Sequence, residues 1–137
     1  MKYWLVKQEP SKYSWEQLVK DKSTLWDGVR NYQARNNLKE MKKGDYVLFY
    51  HSVVGKEIKG VARVIREFYP DPTVNDERWV VVDIEAVRAF DHAVTLDEVK
   101  VAPQLESIAL VKQSRLSVMP LSPVEFKTLL KMGKIKL

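Results

Sequence analysis

Three apolar runs follow one another with no helix-forming pattern between them, and they limit the fold more than any other feature. Asp45–Ser52 reads DYVLFYHS, Ile58–Phe68 reads IKGVARVIREF, and Arg78–Phe90 reads RWVVVDIEAVRAF. β-Branched and aromatic residues dominate each run, and turn-forming residues separate them: Gly55 in the first gap, Pro70 and Pro72 in the second. Strands in adjacent runs do not build a doubly wound βαβ fold. They favour a mostly antiparallel or mixed, curved sheet, or a small barrel in which the sheet edges close on each other. In the third run Val80, Val82, Ile84 and Ala86 share one face, and Asp83 and Glu85 lie on the other.

Helical signals sit around these runs. A first strand, KYWLVK, is stopped by Pro10. Ser14 reads as an N-cap with Gln17 as its capping-box partner, opening the short helix WEQLVKD. Trp26-Asp27-Gly28 is a turn signal. NYQARNNLKEM then forms a helix with Leu38 and Met41 on one side. Thr95 with Glu98 is a second capping box, and Pro103 opens a helical turn. SRLSVMP reads as a late strand. Ser122, Pro123 and Glu125 start a last helix, which Gly133 ends. The chain of 137 residues has no repeat or flexible linker, so the expectation is a single α+β domain over residues 1–137.

Much chemistry is excluded. The chain has no cysteine, so disulfides, thiolate metal sites and thiol nucleophiles are out. With only His51 and His92, no histidine zinc site is expected. No phosphate-binding glycine loop and no serine nucleophile elbow occur. His51 and Ser52 are adjacent on a strand, so their side chains diverge and do not form a nucleophile–base pair. No cofactor is implied. The N-terminus lacks a signal-peptide pattern and no run spans a membrane, so a cytoplasmic protein is expected. A net charge of +5 is a mild basic bias that fits a nucleic-acid partner and equally an ordinary soluble domain.

The stretch Trp26–Asn37 crowds Arg30, Asn31, Gln33, Arg35, Asn36 and Asn37 around Tyr32. Aromatic rings stack on bases for about 1–3 kcal/mol each. Amides match a base edge, and guanidinium forks match phosphates. The set suits a nucleobase pocket. The same residues also suit a fold in which Trp26 and Tyr32 are core and the amides cap helices.

The motifs YWLVKQEP (Tyr3–Pro10), WDGVRNYQARN (Trp26–Asn36), GDYVLFYHS (Gly44–Ser52), GVARVIREFYPDPT (Gly60–Thr73) and QSRLSVMPLS (Gln113–Ser122) span nearly the whole chain. In order and spacing they resemble the EVE domain, part of the PUA-like superfamily that includes YTH and ASCH domains. The resemblance implies a PUA-like small curved mixed sheet or barrel with short peripheral helices. It also implies a non-enzymatic reader that holds a modified cytosine or adenine of DNA or RNA, as a monomer without metal.

Carried onto this chain, the resemblance makes Trp26, Asn31, Tyr32, Ser52 and Lys7 the base-binding candidates. Arg30 and Arg35 face the nucleic-acid backbone, and Gln113, Ser114 and Arg115 form a further pocket wall. Two other functions remain open. Some ASCH relatives are amidohydrolases with a lysine and a carboxylate, which Lys7 and Glu9 are the one pair here to imitate. PUA-like domains also serve as RNA-binding accessories in tRNA or rRNA metabolism.

Overall fold

The computed structural model describes all of residues 1–137. In chain order the elements are β1 (Tyr3–Gln8), α1 (Trp15–Asp21), β2 (Ser23–Leu25), α2 (Tyr32–Glu40), β3 (Tyr46–His51), β4 (Glu57–Pro70) and β5 (Val80–Thr95). Then follow α3 (Leu96–Val101), a 3-10 turn at Pro103–Leu105, α4 (Ala109–Lys112), β6 (Val118–Leu121) and α5 (Pro123–Met132).

The strands form one six-stranded sheet in the order β2-β5-β4-β3-β1-β6. β1 runs parallel to β3, and every other pairing is antiparallel. The expected mixed sheet is present, but the barrel is not. The sheet is curved and unclosed, because its edge strands, β2 with three residues and β6 with four, do not pair with each other. Curvature is concentrated in the long β4–β5 ribbon, whose register shifts at four places. Each shift bends the pair and adds twist.

The pleat sends alternate residues of β1 to opposite sides. Trp4, Val6 and Gln8 share one side; Tyr3, Leu5 and Lys7 share the other. β3 follows, with Val6 opposite Phe49 and Lys7 opposite Tyr50. On the first side Trp15 and Trp26 meet the Phe49 ring edge-on, with centroids 5.8 and 5.3 Å away. On the second, Tyr3 and Tyr46 stack on Phe126 of α5. Because both faces are covered, Val80, Val81 and Val82 are all buried, and simple alternation lapses there.

Local signals explain the helix starts. Ser14, Asn31, Thr95 and Ser122 each accept a hydrogen bond from the backbone N–H three residues on. The boxes at Thr95 and Ser122 are complete. The one at Ser14 is not: the Gln17 amide donates to Asp21 at 2.8 Å, one turn ahead, instead of turning back to the cap. Gly133 does end α5, but not through left-handed backbone, since its φ is −76°. A Cβ there would lie 2.5 Å from the Phe90 ring, and Lys134 takes the positive φ of 59°. Gly60 is likewise a close-approach glycine, because a Cβ would meet the Trp15 ring at 2.4 Å.

β2 and α4 carry no clear sequence signal. The late strand begins at Val118, leaving Ser114–Ser117 as a loop. β5 begins at Val80, so Trp79 precedes it.

Candidate functional site

Chain ends of the parallel pair β1–β3 open onto two separate hollows, one on each side of the sheet. Gln8 faces the first, Lys7 the second.

The first hollow, about 290 Å³, is lined by Gln8, Lys12, Tyr13, Thr24, Trp26 and Asp27, among others. Trp26 is only 4% exposed. Its ring sits edge-on between Phe49 and Tyr13, so it closes the hollow as a wall of the core. Its backbone N–H donates to Val82 O at 2.8 Å, fixing the chain just past β2. Gly28, with φ of 78°, then turns the chain away. The Asp27 carboxylate and the Gln8 amide thus stand beside two aromatic rings. Together they offer the Asp27 acceptor, the Gln8 NH2 donors and an apolar wall, the Gln8 amide oxygen being taken by Glu9 N at 3.0 Å.

Three residues after Asp27, Arg30 enters an exposed stack of cations and rings. Tyr32, 51% exposed, lies on Trp79 with centroids 5.2 Å apart. The Arg35 guanidinium covers Tyr32 at 4.9 Å, and those of Arg30 and Arg78 approach Trp79 at 5.6 and 5.8 Å. Such contacts hold cations by the ring quadrupole, and Arg35 is further held by its bonds to Asn36 Oδ1 at 2.8 Å and to Arg78 O at 3.4 Å. Arg30 is also tied down: it donates to Val29 O and pairs at 3.1 Å with Asp71, whose side chain is fully buried. Burial pushes the Asp71 carboxyl up, but the hydrogen bonds from Thr73 and the Arg30 guanidinium outweigh it and hold it below its usual range. Arg78 is paired with the half-buried Asp76 at 2.7 Å and reaches Tyr32 Oη at 3.3 Å.

The second hollow is larger, about 440 Å³, and is lined by Lys7, Tyr50, Ser52, Lys56, Leu96 and Ser114, with Leu110 and Val53 completing it. Lys7 donates to Ser114 O at 2.6 Å. Burial pulls the Lys7 ammonium below its ordinary pKa. Burial also pushes the Tyr50 hydroxyl up to about 12.

The residues expected to form one site are therefore divided. Trp26 belongs to the first hollow, and Lys7, Ser52 and Ser114 to the second. Tyr32, Arg30 and Arg35 lie on the exposed stack. The Asn31 side chain is occupied as the N-cap of α2, accepting from Ala34 N at 2.9 Å. Gln113 accepts from Gln33 Nε2 at 2.9 Å, joining the loop before β6 to α2. Arg115 is exposed, without a side-chain hydrogen bond or ion pair.

The suggested acid–base pair is not assembled either. Lys7 turns to Ser114, whereas Glu9, beyond the end of β1, pairs with Lys12 at 2.8 Å. His51 has an ordinary role, accepting from Trp15 N at 2.9 Å. Sequence reasoning missed Gln8, Tyr13, Asp27, Tyr50 and Arg78. The signal for Gln8 was strand parity: a residue next to Lys7 in β1 must open onto the opposite side. No helix is long and apolar enough to cross a membrane.

Comparison with known proteins gives a consistent result. The family model for the EVE domain matches residues 2–132. Mouse thymocyte nuclear protein 1 is 37% identical, over 93% of this chain and 72% of that protein. Its name places that relative in the nucleus, so it lends nothing to the expectation of a cytoplasmic protein. A crystal structure from Agrobacterium tumefaciens superposes with a TM-score of 0.96 at 43% identity, over 98% of this chain and 94% of that one. Human THYN1, solved in complex with 5-methylcytosine-containing DNA, superposes with a TM-score of 0.89 at 32% identity over the full length of both chains. A YTH domain from Zygosaccharomyces rouxii shares the fold alone, at 18% identity and a TM-score of 0.59. By family model, by sequence and by structure, this chain belongs to the EVE domain family.

Proposed function

We propose that this protein is a non-enzymatic reader of modified bases in nucleic acid, with methylated cytosine in DNA as its ligand. One observation carries the reading. The first hollow sets the Gln8 amide and the Asp27 carboxylate beside the Trp26 and Tyr13 rings, three residues upstream of the arginine–aromatic stack. The human relative's complex with 5-methylcytosine DNA supports the ligand class.

The chemistry fits a flipped cytosine. Its Watson–Crick edge presents an amino donor and two acceptors. The Asp27 carboxylate accepts from the amino group, and the Gln8 amide donates to the ring acceptors. The methyl group lies against the aromatic wall, where one buried carbon contributes about 0.8 kcal/mol. Extruding the base from a duplex costs a few kcal/mol. Affinity therefore rests largely on phosphate contacts from Arg35 and Arg78, with Arg30 fixing the platform beneath them. The protein acts as a monomer.

An amidohydrolase reading lacks support, because Lys7 and Glu9 point to different partners. A role as an RNA-binding accessory uses the same stack and differs in the nucleic acid bound.

The test is a binding panel of short DNA and RNA oligonucleotides at fixed salt, each with one modified base or none. The expected result is a preference of about fourfold, or about 0.8 kcal/mol, for methylated cytosine in DNA. Asp27→Asn weakens binding of methylated and unmodified cytosine in the hollow alike, since both present the same amino group, and leaves backbone binding of oligonucleotides without cytosine intact. Equal affinity for every oligonucleotide in the wild type overturns the reading. A preference for modified RNA replaces DNA with RNA as the partner.

A further inference from the structure

The second hollow has no part in the reading above, and its chemistry is one-sided. Every ionisable group on its wall is a lysine or a tyrosine, and no carboxylate lines it. Lys7 forms no ion pair. Its ammonium makes one hydrogen bond, to the Ser114 carbonyl, which leaves two donors unused. Tyr50 is 3% exposed, and its hydroxyl has no protein partner, yet no fully buried polar atom is left unsatisfied. That hydroxyl must therefore open onto the hollow. Ser52 and Lys56 add further donors on the side of the β3–β4 loop. Leu96 and Leu110 supply an apolar wall. A partly buried ammonium without a counterion is costly, and an anion at this position removes the cost.

We propose that the hollow under Lys7 and Tyr50 binds a phosphate monoester carried on a ring-sized apolar body, of the nucleoside monophosphate class. The phosphate takes the Lys7, Tyr50 and Ser52 donors. The body lies on Leu96 and Leu110. A neighbouring polar hollow of about 370 Å³ shares Val53, Lys56 and Leu96 and leaves room beyond the body, but Asp97 on its wall keeps the phosphate at the Lys7 end. This chemistry has two sources, a free nucleotide and the 5′-phosphorylated end of a strand.

The site lies on the opposite side of the sheet from Asp27, so it stands or falls independently of base reading. The test is a titration followed by amide NMR. The probes are phenyl phosphate, cytidine 5′-monophosphate, cytidine, and a dinucleotide with or without a 5′-phosphate. The expected result is saturable shifts at Lys7, Ser52 and Ser114 with the phosphorylated probes only. Binding weakens at least tenfold in Tyr50→Phe and in Lys7→Met, and is unchanged in Asp27→Asn. Tyr50→Phe keeps the ring and removes only the hydroxyl, so it tests the site even if Lys7→Met proves unstable.

A free-nucleotide ligand shows as tighter binding of the monophosphate than of the phosphorylated dinucleotide, and a strand end as the reverse. Three results overturn the proposal: no shifts up to about 10 mM probe, equal binding of cytidine and its monophosphate, or shifts confined to Gln8 and Asp27.

Discussion

Lys7 and Gln8 are consecutive in β1 and open onto opposite sides of the sheet. Lys7 donates to Ser114 O at 2.6 Å, and Gln8 lines the hollow closed by Trp26. One peptide unit thus separates a cationic hollow from one walled by aromatic rings. Gln8→Ala is expected to weaken binding of methylated and unmodified cytosine alike, since both present the acceptors it meets, while leaving phosphate-ester binding unchanged. Parallel titrations of the two ligands on one variant check this.

Trp26 is the residue a sequence motif would nominate first for mutation, and it is a poor choice. Its ring is packed on Phe49 and Tyr13. Removing a buried aromatic side chain costs about 3–5 kcal/mol. Trp26→Ala should therefore lower the urea midpoint sharply, and lost binding in it reports unfolding. Trp26→Phe should keep the fold and lose less than half as much stability. A midpoint for Trp26→Ala equal to wild type contradicts this packing account.

Arg35 and Arg78 lie on the exposed stack with rings beneath them. Each phosphate contact contributes about 0.9 to the slope of log K against log salt. Arg35→Ala should weaken binding to all sequences alike and flatten the slope by about one unit. A loss restricted to modified oligonucleotides places Arg35 at the base instead.

His51 makes stability sensitive to mild acid. Its Nε2 accepts from Trp15 N, and burial lowers its pKa below the ordinary value. The folded state therefore resists protonation, while the unfolded chain takes up a proton near pH 6.5. The contribution is complete above about pH 6.5 and is lost as pH falls toward the lowered folded value. Urea midpoints measured between about pH 7.5 and 5.5 should fall in the wild type and stay flatter in His51→Gln.

Val53, on the β3–β4 loop, holds a φ of 69° and is 64% exposed. Left-handed backbone costs a β-branched residue roughly 1–2 kcal/mol, and its side chain gains little from burial. Val53→Gly should raise the melting temperature by a few degrees, after the smaller entropic cost of glycine is subtracted. A lower melting temperature means that the valine side chain supports the loop.

Legibility varied with how local each cause was. Ser14, Thr95 and Ser122 announced their helices because an N-cap acts within three residues of chain. The second half of the Ser14 box failed because Asp21, at helical spacing from Gln17, competes for the same amide. β2 was invisible: three residues show no periodicity, and Thr24 exists as strand only by pairing with Ile84. The hollows were harder still, since each gathers side chains from three or more segments. Tyr50 read as one member of an apolar run, and only its register beside Lys7 gives it a polar neighbourhood. Trp26 fits a core and a pocket equally well as a residue type, and it is in contact with both.

The four tryptophans occupy four different settings. Trp4 donates to the buried Asp45, Trp15 opens α1, Trp26 walls the first hollow, and Trp79 lies on the exposed stack. The protein therefore carries its own optical labels. A base entering the hollow quenches blue-shifted emission from a sheltered indole. A strand settling on the arginines quenches redder emission from an indole near water. Capture of the base and docking of the backbone can thus be timed separately, by colour, in an unlabelled sample.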